Sequence, residues 1–337
     1  MPLLFDLCSR GLVEEVRAVL ASGMDVNIEN GNNQTPLMAA AAGNHVITMK
    51  VLFEQQSIDL NRADKVGSTA LIHATFMGNL EAVKLLLEQP SLEVNLGDNT
   101  GHTALHHATL DGNIAAVKLI LADPRVDLNS KDLKSQMTPF ISAATARLPI
   151  DIFKLLLAEQ RVDVNWATLG PAGRDATALH ATICTKNIEA LRLLLDDERV
   201  DVNCKDSCQM TPLITAVYSC GMSGLHEVAS QEKNIKLLEL LLAHPRVDVN
   251  CKQVPKGSTV LHVAAAKNNI EAVRLILAEP RFTSANAWEV DRGEDRTAVN
   301  IAAVMRHWDV LKVLIHHPSI DLDVKHKNGI TVEERLR

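Results

Sequence analysis

The length, composition and charge of this chain exclude several classes of protein. Its 337 residues are 47% hydrophobic and 22% charged, which is typical of a folded protein rather than a disordered one. The formal net charge of −7 argues against a general binder of polyanions. Because only 3% of the residues are aromatic, Leu, Val, Ile and Ala must fill the core, and this favours close-packed helices.

The amino-terminal segment, the hydropathy and the cysteines indicate an intracellular protein. The start "MPLLFDLCSRGLVEEV" has no basic region and reaches Asp6 too early for a secretory signal. No apolar run approaches the roughly 20 residues that a membrane-spanning helix needs. The six cysteines are scattered through a large chain, which argues against a disulfide framework. We therefore expect a cytoplasmic protein without membrane insertion, and a nuclear location stays open.

One phrase recurs eight times along the chain and sets its organisation. It reads "TPLMAAAAGN" at its first occurrence and "TVLHVAAAKNN" at its seventh. A second phrase, such as "DVN" at Asp25 or "DLN" at Asp59, keeps the same spacing. A period of 34 residues with insertions explains the positions of the phrase, which begins at Thr35, Thr69, Thr103, Thr138, Thr177, Thr211, Thr259 and Thr297.

Each period predicts a short helix, a tight turn and a longer helix. The threonine occupies the N-cap position of the first helix, where its hydroxyl can accept a backbone N–H. Alanine recurs five residues after the threonine, as at Ala40 and Ala74, and lets neighbouring first helices approach closely. Gly78 and Gly112 suit a left-handed turn between the two helices. Apolar residues three and four apart in segments such as "IEAVRLILAEP" predict an amphipathic second helix.

The Thr-Pro-Leu-His-x-Ala-Ala and Asp-Val-Asn phrases resemble ankyrin repeats, whose usual period is about 33 residues. The resemblance covers essentially the whole chain and implies an all-α solenoid of antiparallel helix pairs, with β-turn fingers along one edge. We expect a single domain over 1–337. Its predicted parts are a capping repeat at 1–24, eight repeats over 25–320 with insertions near 166–176, 219–233 and 286–296, and a partial capping repeat at 321–337.

The stretch "HTALHHATLDGN" carries three histidines that invite a chemical interpretation. Other repeats carry histidine or an apolar residue at the position of His106, and in ankyrin repeats this histidine is a local fastener, so His106 is predicted to be structural. His107 and His73 are predicted to lie partly buried between helices, without an acidic partner nearby. A stacked His73–His107 pair that binds a metal or senses pH is the alternative. His102 precedes the N-cap and is predicted to face a partner.

No catalytic motif and no cofactor-binding motif stands out, so we expect no enzyme activity, no cofactor and no metal. A zinc site of Cys204, Cys208, Cys220 and His226 is an alternative, but the repeat places these residues on separate elements. When the repeats are aligned, Cys204 and Cys251 fall at the same position, or column, of the repeat. They are predicted to be ordinary small side chains. An enzyme built from the His73–His107 region and residues 219–233 stays as a rival hypothesis.

Three departures from the period are candidates for function. Two lengthened fingers each carry a tryptophan, Trp166 and Trp288, which either anchors a partner or shields a neighbouring finger. The third departure, residues 219–233, separates the two helices of the sixth repeat and either lengthens both helices or forms a loop. Trp308 falls in a column of aliphatic residues and is predicted to be core.

The variable positions on the fingers and first helices predict a protein-binding surface. Their mixture of apolar, polar and charged residues is typical of protein interfaces, and it lacks the basic clustering expected for nucleic acid. We expect a monomeric, non-catalytic scaffold that binds another protein through its concave face and fingers; a regulatory or targeting fragment of a larger multidomain protein is the alternative. The candidate residues are Lys65, Phe76, Met77, Asn99, His102, Leu110, Asp111, Lys134, Met137, Trp166, Arg174, Met210, Tyr218 and Trp288.

Overall fold

A computed structural model describes residues 3–145, 148–169, 175–220, 228–291, 294–323, 331 and 334. The described part of the chain is mostly helical, as predicted, and most helices have seven to nine residues. Three two-stranded antiparallel sheets join β1 to β2, β3 to β4 and β5 to β6. The helices are α1 Leu3–Ser9, α2 Val13–Ala21, α3 Pro36–Ala42, α4 Val46–Phe53, α5 Ala70–Phe76, α6 Leu80–Leu87, α7 Ala104–Leu110, α8 Ile114–Leu121, α9 Pro139–Thr145, α10 Ile150–Ala158, α11 Ala178–Thr185, α12 Ile188–Asp196, α13 Pro212–Cys220, α14 Val228–Ala243, α15 Val260–Ala266, α16 Ile270–Ala278, α17 Ala298–Val304 and α18 Trp308–Ile315; the strands are β1 Ala167–Leu169, β2 Asp175–Thr177, β3 Lys252–Gln253, β4 Ser258–Thr259, β5 Glu289–Asp291 and β6 Glu294–Arg296.

The chain divides into two compact units, Met1–Asp163 and Val164–Arg337. In the first unit, the first helices α1, α3, α5, α7 and α9 pack successively on one another, and the second helices α2 to α10 form a second layer. In the second unit, the same alternation joins α11, α13, α15 and α17 in one layer and α12, α14, α16 and α18 in the other. The segment that joins each second helix to the next first helix is called a finger below.

The predicted threonine caps start the first helices. Thr69 has extended backbone angles, and its hydroxyl accepts the N–H of Ile72 at 3.3 Å. The alanine five residues after the cap, such as Ala74 in α5 or Ala108 in α7, has no exposed surface. The sequence-based placement of these two columns is therefore confirmed. Small side chains at this position bring neighbouring first helices together without leaving a cavity.

Between the two helices of most described repeats, one residue adopts the left-handed conformation. Gly78 and Gly112 have φ values of 71° and 70°, as predicted. Lys186 and Arg306 occupy the same turn in other repeats with φ of 59° and 58°, although their β-carbons make this conformation less favourable. The turn is therefore dictated by the packing of the two helices rather than by glycine alone.

The asparagine of the Asp-Val-Asn phrase joins each finger to the next. Asn61 donates through Nδ2 to the carbonyl oxygen of Ser91 at 3.0 Å, and its Oδ1 accepts the N–H of Glu93 at 2.9 Å. Each such side chain satisfies two backbone groups of the following repeat. The same pair of contacts is made by Asn27, Asn95, Asn129, Asn165, Asn203, Asn250 and Asn286.

The two lengthened fingers are β-hairpins. Strands β1 and β2 pair in the finger that carries Trp166, and β5 and β6 pair in the finger that carries Trp288. The hairpin tips at 170–174 and 292–293 lie outside the described residues. In the sixth repeat, α14 extends over 16 residues, so the insertion at 219–233 lengthens this helix, and its central part at 221–227 is also outside the described residues.

The described residues near both ends of the chain also make repeat-like contacts. Helices α1 and α2 form a pair, and α1 packs against α3 as well. Near the carboxyl end, the Glu334 carboxylate accepts the N–H of Thr331 at 2.9 Å, and the Glu334 N–H donates to the Thr331 hydroxyl at 3.1 Å, which is the arrangement of a capping box. Residues 324–330 lie outside the described part of the chain.

The prediction that Trp308 belongs to the core is wrong. Its side chain is 63% exposed. Trp308 is the first residue of α18, and the equivalent first residues of α6 and α8, Leu80 and Ile114, are only half-buried. This column lies at the edge of the layer of second helices, where an aliphatic pattern does not require full burial.

Among the described residues, the helices are too short or too polar to cross a membrane.

Candidate binding groove and histidine cluster

His106 fastens its repeat to the next one, as predicted. Its Nδ1 accepts the N–H of Thr103 at 3.3 Å and lies 3.1 Å from the Thr103 hydroxyl, and its Nε2 lies 3.1 Å from the carbonyl oxygen of Met137. The side chain is fully buried, and this burial lowers the pKa of His106 to about 4. The imidazole is therefore neutral, and both of its ring nitrogens have hydrogen-bond partners. His180 and His262 make the same contacts in the second unit.

The prediction that His73 and His107 have no acidic partner is wrong. The Nε2 atom of His73 lies 2.9 Å from Asp64 Oδ2, and that of His107 lies 2.9 Å from Asp98 Oδ2. Each aspartate belongs to the finger that precedes the histidine's own helix. The finger folds back over that helix, so residues nine positions apart in the sequence meet. Each histidine therefore pairs with the aspartate of its own repeat.

Asp98 is held in place by its own finger. Its Oδ1 accepts the N–H of Thr100 at 2.8 Å and the N–H of His102 at 3.1 Å, and it also accepts the Thr100 hydroxyl. Burial raises the pKa of this carboxyl, but the hydrogen bonds from Thr100, His107 and His102 together outweigh burial and lower its pKa below the usual range. The carboxylate is therefore ionised at neutral pH and aims Oδ2 at His107.

His102 lies on the finger, as predicted, and is half-buried there. Its ring stacks on His106, with centroids 5.3 Å apart and an interplanar angle of 25°. The His102 ring is also nearly perpendicular to the His107 ring, and their centroids are 5.7 Å apart. Asp98, His102 and His107 each offer one ligand atom, and these atoms lie within 4.8 Å of one another. The three groups are of the types that bind divalent metal ions.

A groove of about 480 Å³ lies between α7 and α9 in the first unit. Its walls come from two successive fingers, and Leu110 at the end of α7 and Ser142 on α9 line it as well. Five of the residues predicted for partner binding line this groove, Asn99, His102, Leu110, Lys134 and Met137, together with Thr100, Asp132, Leu133 and Ser135. The structure thus brings together residues that are 32 and 35 positions apart in the sequence.

Some of the exposed apolar side chains line this groove or lie on the neighbouring repeat. Leu133 is 69% exposed and Leu110 is 41% exposed, and both line it. Phe76 and Met77 at the end of α5 are 58% and 56% exposed. The Phe76 and His107 rings are nearly perpendicular, with centroids 6.0 Å apart. Phe76 and Met77 therefore adjoin the histidine cluster. Met77 also lines a second groove of about 380 Å³ beside α3, together with His73 and Met38.

Charged residues of the predicted surface surround the same region. Lys65, Asp111 and Lys134 are exposed. Lys65 precedes Val66 on the finger before α5, and the N–H of Asn99 donates to the Val66 carbonyl at 2.9 Å. In the same way, the N–H of Leu133 donates to the Thr100 carbonyl at 2.8 Å. Neighbouring fingers of the first unit are therefore held in register by backbone hydrogen bonds.

The predicted residues of the second unit have more varied surroundings. Met210 is only 5% exposed and packs with Ile214 and Cys251, so its assignment to an exposed binding surface is corrected: its finger turns the side chain into the core. Tyr218 is half-buried, and the Lys267 ammonium lies 3.8 Å from its ring centroid. Trp166 and Trp288 are half-buried beside their hairpins, and Arg174 lies outside the described residues.

The buried thiols of the second unit are structural. Cys204 Sγ lies 3.3 Å from the Thr177 hydroxyl, and Cys251 Sγ lies 3.2 Å from the Thr211 hydroxyl. Burial raises the pKa of Cys204 to about 11 and also raises that of Cys251. Neither thiol is therefore poised as a thiolate ligand or nucleophile. The side chain of Cys220, and His226 as a whole, lie outside the described residues.

Sequence reasoning missed Asp98 and Leu133, which complete the cluster and the groove. A signal for the aspartate was available, because an acidic residue recurs at the same place in several fingers, as at Asp64, Asp98, Asp132 and Asp206. Leu133 follows that aspartate but shares its column with Lys65 and Asn99, so no pattern marked it. Leu133 can line the groove because the fold leaves its side chain exposed to solvent, and the sequence pattern does not show this exposure.

Comparison with known protein families identifies the repeats. A family model described as "Ankyrin repeats (3 copies)" matches residues 4–98, 90–168, 143–224 and 225–326. These overlapping matches extend over nearly the whole chain and follow the helix pairs described above. A search of curated proteins found no match to this chain.

Proposed function

Because this chain belongs to the ankyrin repeat family, whose repeats generally serve as protein–protein interaction modules, we propose that it is a non-catalytic scaffold that binds a partner protein through its fingers and first helices. The principal contact is the groove between α7 and α9 in the first unit, with the exposed side chains of Phe76 and Met77 beside it.

The observation that carries this proposal is the composition of the groove. Leu110, Leu133 and Met137 supply apolar surface, whereas Asn99 and Ser135 supply polar groups and Lys134 a positive charge. This mixture matches protein interfaces, in which apolar contacts are bordered by polar and charged groups. The groove therefore suits a partner segment that presents an apolar side chain next to a carboxylate. Lys134 pairs with the carboxylate, and Leu110 and Leu133 cover the apolar side chain.

The test is capture of the partner from the native source with a groove variant. We expect Leu110→Glu combined with Leu133→Glu to reduce capture at least tenfold, because both side chains are exposed and the new carboxylates repel an acidic partner segment. Captured proteins are quantified by mass spectrometry, and the affinity for the purified partner is then measured by calorimetry.

The second unit offers a matched control. Val304 is also the last residue of a first helix, and Val254 also lies on a finger, and both are more than half exposed. Val304→Glu combined with Val254→Glu should reduce capture much less than the groove variant does, because these residues lie away from the principal contact. Equal loss of capture in the two double variants, or no loss in the groove variant, would contradict the proposed surface. Circular dichroism checks that both variants remain folded.

The tryptophan-bearing fingers are proposed as a second contact. Trp166 and Trp288 combine partial exposure with large rings, and Tyr218 is half-buried in the same unit. Substituting the three residues together with leucine should weaken capture of the partner. Because all three are partly buried, the change should also lower the melting temperature, so capture is measured well below that temperature. We further expect a monomer, which sedimentation velocity tests.

A further inference from the structure

We propose that Asp98, His102 and His107 form a binding site for a divalent transition-metal ion, of which Zn²⁺ fits the ligands best. The sequence predicted no metal here, because the acidic partner of His107 was not recognised. Two imidazoles and one carboxylate are a ligand set that proteins use for zinc when the fourth position stays open to water or another ligand. One of the three ligands, His102, also lines the groove described above.

The three side chains are close enough to converge on one ion. Their ligand atoms lie within 4.8 Å of one another, and His107 Nε2 is 2.9 Å from Asp98 Oδ2. Ligand atoms around tetrahedral zinc are separated by about 3.3 Å, given bonds of roughly 2.0–2.1 Å. To hold an ion, the His107–Asp98 pair must therefore open slightly and the His102 ring must move towards it. The ion binds His107 through Nε2, in place of the proton shared with Asp98, and the neutral imidazole then carries its proton on Nδ1.

Neighbouring groups hold the ligands in position before an ion arrives. Asp98 Oδ1 is engaged by the Thr100 and His102 amides, so Oδ2 is the oxygen presented to the site. His106 stacks beneath His102, and Phe76 meets the edge of His107. Such surrounding contacts orient the ligands of metal sites. All three ligands are partly exposed, so an ion can reach them from solvent.

The preceding repeat contains the same arrangement with one ligand fewer. Asp64 and His73 are paired at 2.9 Å, as Asp98 and His107 are, but Ser68 stands where the third repeat has His102. The Asp64 carboxylate is oriented in the same way, because its Oδ1 accepts the N–H groups of Val66 and Ser68. The chain therefore provides its own two-ligand reference for the three-ligand site.

The experiment is isothermal titration of the full, metal-free chain with zinc chloride. We expect one site per chain that His102→Ser weakens at least tenfold, a loss comparable to that caused by disturbing other metal sites. The substitution copies the residue of the preceding repeat, so the fold should persist, and circular dichroism verifies this. Conversely, Ser68→His should create a second site and raise the stoichiometry from one to two.

Two outcomes would overturn the inference. One is equal affinity and stoichiometry in the wild type and His102→Ser, which would place any bound zinc elsewhere. The other is unchanged stoichiometry in a folded Ser68→His variant, which would show that these three groups do not suffice. Titration with the cobalt(II) ion, whose visible absorption reports its ligands, provides a second readout. Because no partner protein is present, failure here leaves the proposed binding function unaffected.

Discussion

Three histidines of one short stretch have different roles because their neighbours differ. His106 is buried and bonded on both ring nitrogens, His107 pairs with a carboxylate, and His102 lies half-exposed on the finger. Burial penalises the charged form of an imidazole, whereas a neighbouring carboxylate favours it. The residue type alone therefore does not indicate whether a histidine serves the fold or a ligand. The neighbouring atoms decide this.

His106 should make the protein less stable in acid. Its folded-state pKa is about 4, below the ordinary imidazole value of about 6.5. Between these values the unfolded chain binds a proton that the folded chain excludes, so the free energy of unfolding falls as the pH decreases from 6.5 to 4. His106 alone lowers the free energy of unfolding by about 3 kcal/mol over this pH range. Above pH 6.5 it contributes no pH dependence, because it is neutral in both the folded and the unfolded chain.

The substitution His106→Ile tests this effect, because Ile72 and Ile141 occupy the equivalent position in neighbouring repeats. We expect the variant to lose less stability than the wild type between pH 6.5 and pH 4.5, as measured by urea denaturation at several pH values. Substitution of the exposed His316 with glutamine is the control and should leave the pH dependence as it is. Identical pH dependence in the wild type and His106→Ile would refute the assignment.

At the scale of the element, an arginine from the following repeat holds the end of several second helices. The Arg125 guanidinium donates to the carbonyl oxygens of Leu87 at 2.6 Å and Gln89 at 2.9 Å, and it pairs with Asp123 at 2.6 Å. The last carbonyls of a helix have no partner within the helix, and a cation near them is favourable. Arg161, Arg246 and Arg281 make equivalent contacts with the preceding helices.

Replacing Arg125 with serine should destabilise the first unit. Ser91 stands at the equivalent position in the preceding finger, so the backbone accepts the substitution. The loss of hydrogen bonds from a charged group to helix carbonyls should cost about 1–3 kcal/mol. Guanidinium denaturation measures the change. Arg274→Ser, on the exposed face of α16, is the control and should have little effect, because its ion pair with Glu271 at 3.4 Å is exposed.

At the scale of the whole molecule, stability depends on contacts between successive repeats. The described first helices pack in sequence within each unit, and the asparagine of each Asp-Val-Asn phrase ties one finger to the next. In repeat arrays the total stability is approximately a sum over repeats and their interfaces. Cooperative unfolding therefore requires that each interface remain intact.

Substitution of Asn61 with alanine should uncouple neighbouring repeats. The change removes the hydrogen bonds to the Ser91 carbonyl and the Glu93 amide, which should lower the free energy of unfolding by about 1–3 kcal/mol. It should also broaden the denaturation transition, because the repeats on either side then unfold more independently. Asn99→Ala, which removes one exposed bond to the Lys65 carbonyl, is the control. A transition as sharp as that of the wild type would argue against the coupling role.

The repeat, the order of its helices and the residues that recur for structural reasons can all be predicted from the amino-acid sequence. Thr69, Ala74 and His106 were placed correctly because each contacts its own repeat or the adjacent one in a way that repeats along the chain. Such local, periodic contacts are visible as columns of the sequence. Five of the predicted binding residues also line one groove for this reason, since the variable columns follow the fingers and first helices.

Tertiary packing determines which side chains meet across a finger and which remain exposed, and the sequence pattern does not show this. The column pattern showed neither that Asp98 folds back onto His107, nor that Met210 is buried, nor that Trp308 is exposed. These outcomes depend on the direction in which each finger turns its side chains and on the edge of the helical layer, both of which arise from packing between elements. The periodic sequence specifies the position of a residue, and packing selects its neighbours.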